Sequence, residues 1–382
     1  MTQMALRMND TTFASALYMA LELSKSKWKV GFSYGHKRRT VNVEGGDVAR
    51  LKAAIGEAKA KFKLPETVVI HCCYEAGRDG FWLHRLLTSW GIDNLVVDPA
   101  SIEVNRRARR TKTDRVDLEM LLSKLRQHHG GERVWKVVRV PDQQAEGGRH
   151  LHREAERLKK ERSAQVNRIK GLLFAQGIRL EQLNLKGWPA QVAGFRTFDG
   201  QPLAEDLRGE LQRAGARLAL LASQLKELEK EQDRRVRAVG ESGGPLAMVR
   251  QLRQLKGIGR VAAWVFVMEF FGWRQFRNGK QVGALAGLTG TPYASGDTHR
   301  EQGISKAGNR RVRSLAVEIS WLWLRYQPDS ALSRWFRERF GGTGKRHRRV
   351  GIVALARKLL VALWRYLETG LLPEGAELKA AI

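Results

Sequence analysis

Residues 16–34 read ALYMALELSKSKWKVGFSY, and the fold of the N-terminal part turns on how this stretch divides. The run 16–23 is apolar except for Glu22, and 28–34 carries bulky and β-branched residues. Both read as strands, joined by the polar turn Ser24-Lys25-Ser26-Lys27. Residues 40–43 make a short third strand. Val48, Leu51, Ile55, Ala58 and Phe62 then recur at threes and fours, a helical spacing with Asp47 as its N-cap. A strand over 67–71, a helix over 79–90 capped by Asp79, a strand over 94–97 ended by Pro99 and a helix from about Asp114 follow. The order β-β-β-α-β-α-β-α predicts a mixed sheet covered by helices, an α/β domain over residues 1–142.

Strand signals stop beyond residue 143. Leu151, Ala155, Leu158, Val166, Ile169 and Leu173 predict one long helix. Leu207, Leu211, Ala214, Leu218, Leu221, Leu225 and Leu228 keep alternating four-three spacing through three heptads. Such a stripe serves either a helical hairpin packing on itself or a coiled-coil dimer seam, with 176–201 connecting the arms. From about Met248 the chain is helical with Gly-rich punctuation, and the last helix, 350–367, is apolar on most faces and reads as buried. The expected division is therefore 1–142, a helical coiled-coil region 143–244, and a mainly α region 245–382.

Composition narrows the function. Among 382 residues, 68 Lys and Arg stand against 39 Asp and Glu, a formal charge of +29. With a sequence pI near 10.7, the natural partner is a polyanion, nucleic acid first. A hydrophobic share of 43% excludes a disordered basic tail. Cys72 and Cys73 are adjacent and the only cysteines, so neither a disulfide framework nor a four-ligand zinc site is available. The longest apolar stretch, 261–273, is broken by Glu269 and is too short to span a bilayer. With no signal-peptide pattern at the N-terminus, a soluble cytoplasmic protein without a membrane partner is expected.

In so basic a chain, acids at strand ends draw attention. Glu22 breaks the apolar run of a strand that should be central. Glu75 follows the fourth strand in CYEAGRDGFW, and Asp114 and Asp117 stand at i and i+3 in RRARRTKTDRVD. Carboxylates converging from two strands and a helix can hold two divalent ions, Mg²⁺ or Mn²⁺, for phosphodiester chemistry. The plainer alternatives are that Asp114 caps the helix and Asp117 pairs with a neighbouring Arg. Asp98, in VVDP, is a rival for a place in the cluster. The six cations of 106–115 (Arg106, Arg107, Arg109, Arg110, Lys112 and Arg115) read as a phosphate track beside such a site, or otherwise as a solvated face.

Near the other end, Gly257-Ile258-Gly259 makes a tight turn that opens an apolar helix and exposes backbone N–H groups, as a helix-hairpin-helix element does to hold a phosphate. A plain helix-helix turn has the same signature. Farther on, 283–309 is rich in Gly, Ser and Thr and reads as a functional loop holding Ser295, followed by Lys306, Arg310 and Arg313 as phosphate contacts. A serine hydroxyl among such cations can attack phosphorus, although serines are also common turn residues.

Taken in order, ALELSKSKW, CYEAGRDGFW, KTDRVD, the long helical insert, LKGIGRVAAW, GLTGTPYASG and GISKAGNRRVR resemble the insertion-sequence-110 family of DEDD transposases, RNA-guided DNA recombinases, over nearly the whole chain. The resemblance implies a RuvC-like RNase H-fold domain, then the helical insert and a C-terminal transposase domain. It places the four acids on Glu22, Glu75, Asp114 and Asp117, the first being Glu where the family usually has Asp. It also implies that Ser295 forms a covalent link to DNA with Mg²⁺ at the acids. Further implied are target and donor DNA as substrates, a structured guide RNA, dimers associating as tetramers, and association with the nucleoid when bound to DNA. Two other readings compete: a metal-dependent, structure-selective nuclease of the Holliday-junction resolvase type, and a catalytically silent nucleic-acid-binding protein. Acids inside a basic run favour the enzymes, because a pure binder would gain affinity by losing them.

Overall fold

Strand β1 (Ala16–Glu22) lacks an apolar/polar alternation because it is covered on both faces, the condition that selects a continuous apolar run. It is the centre of a five-stranded sheet completed by β2 (Lys27–Tyr34), β3 (Lys37–Glu44), β4 (Val69–Glu75) and β5 (Asp93–Val97), in the order β3-β2-β1-β4-β5. The β1–β2 and β2–β3 pairs are antiparallel, while β1–β4 and β4–β5 are parallel. Helices α1 (Val48–Phe62), α2 (Trp82–Ser89) and α3 (Asp114–His129) supply the cover. The computed structural model describes residues 16–78, 80–102, 114–240, 243–295 and 298–380. Close contacts divide the chain into two compact units, Met1–Val140 and Pro141–Ile382.

In the first unit, Leu17, Met19 and Leu21 face Leu51, Ile55, Leu83 and Leu87 of α1 and α2. Ala16, Tyr18 and Ala20 face Leu118, Leu121, Leu122 and Leu125 of α3. Asp47 caps α1 as expected, its carboxylate accepting the Arg50 N–H. Two boundaries differ from expectation. Strand β4 continues through Cys72 and Cys73 to Glu75, because two small apolar thiols suit a strand buried on both sides. Helix α2 begins at Trp82 with Phe81 at its N-cap, and the expected cap Asp79 lies outside the described residues.

The second unit contains α4 (Gln143–Gly147), then the long arms α5 (His150–Phe174) and α7 (Glu205–Arg237), with the short α6 (Trp188–Gly194) between them. The leucine stripe of α7 is used inside the chain. Leu211, Ala214 and Leu218 pack on Ile169 and Leu173, and Leu221 and Leu225 on Leu158, an antiparallel hairpin rather than a seam left bare for a second copy. Trp188 from α6 fills the space left by the missing side chain of Gly215 and donates its Nε1–H to the Leu211 carbonyl at 2.9 Å.

Beyond the arms come α8 (Pro245–Gln254) and α9 (Arg260–Phe266), the latter running into a π-helical turn over Val267–Phe271. Helices α10 (Gly279–Leu285), α11 (Arg310–Tyr326), α12 (Ala331–Phe340) and α13 (Lys345–Thr369) follow. The serine-containing stretch, expected to be a loop, is a β-hairpin of β6 (Gly290–Ser295) and β7 (Thr298–Ile304). Trp264, Phe266, Phe270, Trp323 and Leu359 lie at the centre of this core. Glu269, 2% exposed, ties the arms to it. It accepts from His152 Nε2 at 2.8 Å, from Arg153 Nε and Nη2 at 2.7 and 3.0 Å, and from Asn309 Nδ2 at 3.2 Å. Burial alone would raise this carboxyl, but His152 and Arg153 outweigh it and hold the pKa well below the carboxylate range.

Two outcomes are expected. A Cβ on Gly215 would stand 2.2 Å from Trp188 Cδ1, so Gly215→Ala should lower stability by about 1–3 kcal/mol, seen as a reduced thermal midpoint. Gly209→Ala, which meets only the movable end of Arg213, should leave it unchanged or higher. Glu269→Gln should cost about 3 kcal/mol near neutral pH by leaving Arg153 without its carboxylate. Because the folded-state pKa is depressed, that contribution is complete above about pH 5 and is lost as acid is added through about pH 4 and below. Denaturant melts across this range should therefore show a shallower acid limb in the variant.

Candidate active site and nucleic-acid interface

The register of β1 with β4 ends at Leu21↔Tyr74, and the next residues on the two parallel strands are Glu22 and Glu75. Adjacent strands lie about 4.8 Å apart, so the two carboxylates leave the same end of the sheet side by side. Side chains alternate along a strand. Since Tyr18, Ala20 and Cys73 face α3, Glu22 and Glu75 face it too. The charge of Glu75 reaches into the sheet: burial first, and then Glu75, raise the Cys73 thiol above its ordinary range.

Helix α3 runs antiparallel to β1. At one end Leu118 lies over Gly31, the partner of Ala20. Toward the other end Arg126 donates to the Gly35 carbonyl at 2.8 Å and lies over the Tyr18 ring. The sheet-facing stripe Leu118, Leu121, Leu122 and Leu125 continues backward by helical spacing to position 117. The first turn of α3, with the half-buried Asp117, is thereby brought to the sheet end that carries Glu22 and Glu75. Asp114 is the first residue of α3. The rival Asp98 serves as a cap, its Oδ1 accepting the Ala100 N–H at 3.1 Å. Arg106, Arg107, Arg109, Arg110 and Lys112 lie outside the described residues.

The acids at this end offer carboxylate oxygens, the chemistry that suits Mg²⁺ or Mn²⁺ rather than softer ions. Glu22, Glu75 and Asp117 are contributed by two neighbouring strands and the helix packed on them, although their carboxylate oxygens do not all fall within 4.8 Å of one another.

In the second unit, Ser295 ends β6 and pairs through its backbone with Thr298 across the hairpin turn. One side of this hairpin borders a groove of about 1400 Å³. Lys345, Arg346, Arg349, Arg357, Lys358 and Arg365 of α13 line it, with Lys280 of α10 and Lys306 beyond β7, and no carboxylate is among its lining residues that are described. Leu288, Ile304, Val353 and Val361 form apolar floor between the cations. Of the expected phosphate contacts, Lys306 lines the groove, exposed and in the left-handed region at φ 55°. Arg310 is exposed on the first turn of α11, whose N-cap is Asn309. Arg313 is committed elsewhere, donating to the Ala286 carbonyl at 3.2 Å.

The Gly257-Ile258-Gly259 turn joins α8 to α9, with Gly257 at φ 81° and Gly259 as N-cap. Lys379 covers part of it, donating to the Arg253 and Ile258 carbonyls at 2.6 and 2.7 Å. The basic stripe of α13 was not read from the sequence as a site. Arg346, Arg349, Val353, Arg357, Val361 and Arg365 recur every three or four residues, a signal hidden by apolar residues on the remaining faces.

Two family models match the chain. Residues 32–175 match the DEDD model of the IS110 type, described as Transposase, a stretch that includes Glu75, Asp114 and Asp117 but not Glu22. Residues 249–335 match the Transposase IS116/IS110/IS902 family, a stretch that includes Ser295 and the Gly257 turn. Among relatives, y4rJ of Sinorhizobium fredii, which carries the name of a transposase, is 42% identical over 95% of both chains. The transposase for insertion sequence element IS1328 of Yersinia enterocolitica is 27% identical, covering 59% of this chain and 64% of its own. The transposase for IS1111A of Coxiella burnetii is 24% identical over 78% of this chain and 77% of its own. A DEDD domain implies a divalent metal, which the carboxylate set at the sheet end suits. With both models and a full-length relative in agreement, the chain belongs to the IS116/IS110/IS902 family of transposases, enzymes that act on DNA.

Proposed function

We propose that the protein is a site-specific recombinase that cuts and rejoins DNA strands through Ser295, with Mg²⁺ held by Glu22, Glu75, Asp114 and Asp117. The observation that carries this reading is the meeting of Glu22 and Glu75 at the end of two parallel strands, beneath the helix turn that bears Asp117. A divalent ion there supplies positive charge against the oxygens of the reacting phosphodiester. The Ser295 hydroxyl attacks phosphorus, a Ser Oγ–P bond forms, and the displaced sugar oxygen leaves and takes up a proton. Attack by that or another sugar hydroxyl on the same phosphorus reverses the exchange and releases the serine. Lys306 and the α13 cations beside the serine hairpin hold the phosphates in place. A structured guide RNA and assembly of dimers into tetramers belong to the same proposal. They rest on the family resemblance, and the charge of +29 provides for two nucleic acids at once.

Incubation of the protein with Mg²⁺, DNA and co-purified RNA, followed by denaturing electrophoresis, tests the chemistry. Wild type should give a covalent protein–DNA band. Ser295→Ala should abolish it while DNA binding in a mobility-shift assay persists, and Asp117→Asn should reduce it by about a hundredfold or more. Cleavage that continues in Ser295→Ala without any adduct would instead identify a hydrolytic nuclease. The groove is tested separately. Lys345, Arg346 and Arg349 are exposed, and each phosphate contact contributes about 0.9 to the slope of log affinity against log salt. Replacing all three by Ala should make that slope shallower by about 2 to 3. An unchanged slope would remove the groove from the DNA path.

A further inference from the structure

The face of the sheet beneath α3 carries a second polar cluster, at the end opposite the carboxylates. His71 stands near the start of β4, four residues before Glu75, hence about 13 Å away along the strand. In the β4–β5 register its partner is Asp93, the first residue of β5. His129 closes α3, twelve residues and about 18 Å of helix beyond Asp117. His71 Nδ1 lies 2.8 Å from Asp93 Oδ2, and His129 Nε2 lies 3.9 Å from the same oxygen. One donor atom from each of the three residues falls within 4.8 Å of the other two. We propose that His71, Asp93 and His129 form a metal site distinct from the carboxylate cluster, one that takes Zn²⁺ or a similar imidazole-preferring divalent ion and fastens the end of α3 to the β4–β5 edge.

Donor chemistry and geometry support this assignment. Two nitrogens and one carboxylate oxygen are the donors of three-ligand zinc sites, whereas Mg²⁺ prefers oxygen alone. In a tetrahedral site with bonds of about 2.0 Å the donors stand roughly 3.3 Å apart, so the observed spacings need only small side-chain rotations. His129 Nε2 is buried and makes no hydrogen bond among the described residues. The ring centroids of His71 and His129 are only 3.7 Å apart, a separation that two protonated imidazoles would resist. The site is not sealed: the side chains of His71, His129 and Asp93 are 19%, 20% and 51% exposed, which leaves room for entry and a water as fourth ligand. The C-terminus of α3 also favours a cation.

Metal content decides the matter, measured on full-length, tag-free protein dialysed against chelator and then titrated with ZnCl₂ in excess Mg²⁺. Wild type should take up one tightly bound Zn²⁺ per chain, and Co²⁺ in its place should give the visible absorption of a four-coordinate ion. His129→Gln and His71→Asn should each weaken uptake by about tenfold or more, with unchanged circular dichroism. Asp117→Asn, at the other end of α3, should bind Zn²⁺ as wild type does. Absence of stoichiometric uptake by wild type would overturn the proposal. So would uptake that survives both histidine substitutions or disappears with Asp117→Asn. None of these readouts depends on DNA cleavage, so failure here is distinguishable from failure of the recombinase reading.

Discussion

The close seating of α3 on the centre of the sheet is the constraint on which the first unit depends. It requires that β2 present no side chain where Leu118 lies: a Cβ on Gly31 would come within 2.9 Å of the Leu118 side chain. Ala16 and Ala20 keep β1 low along the same path. Because the helix is seated here, its leucine stripe reaches the core and its first turn lies over the ends of β1 and β4. The carboxylates are thus placed by apolar packing on rigid elements. Glu22, with one methylene more than Asp, sits partly buried at the last position of β1, its Oε2 shielded from solvent.

Much of this arrangement was legible in the sequence. Strands β1 and β2 and helix α1 fall within a residue or two of their expected limits, since their periodicities are clean and Asp47 marks a start. Strand β4 was read short because Cys72-Cys73 carries no alternation, although burial on both faces is what removes it. The Gly- and Thr-rich stretch before Ser295 carries turn chemistry, yet cross-strand pairing from Gly290 to Ile304 makes it a hairpin, with an irregularity between Gly290 and Pro292. Spacing alone left the leucine stripe of α7 undecided between hairpin and dimer. The missing side chain of Gly215 and the indole of Trp188 are the local details that fit the intrachain answer, and no periodicity contains them.

The proposed site residues divide in the same way. Glu22, Glu75, Asp114 and Asp117 stood out as acids in a basic chain. The groove cations did not, because α13 alternates Arg with Val along the stripe that lines the groove. His71, Asp93 and His129 are separated by 22 and 36 residues, and only strand register and a helix end bring them together. Sequence distance hides such a group, whereas a charged run such as 106–115 announces itself.

The two arms of the second unit have a mechanical consequence. Helix α7 has 33 residues, a rod of about 50 Å, braced by α5 along its length. At its base the arm pair is tied to the core by Glu269, seated in a π-helical turn, and by the ion pairs Arg311–Glu156, Arg260–Glu229 and Arg253–Asp233. A rod held in this way is a lever: a tilt of about 5° at the grip sweeps the far tip through roughly 4 Å. Repacking at that base is therefore magnified at the distal end, where Trp188 and Val192 pack against both arms.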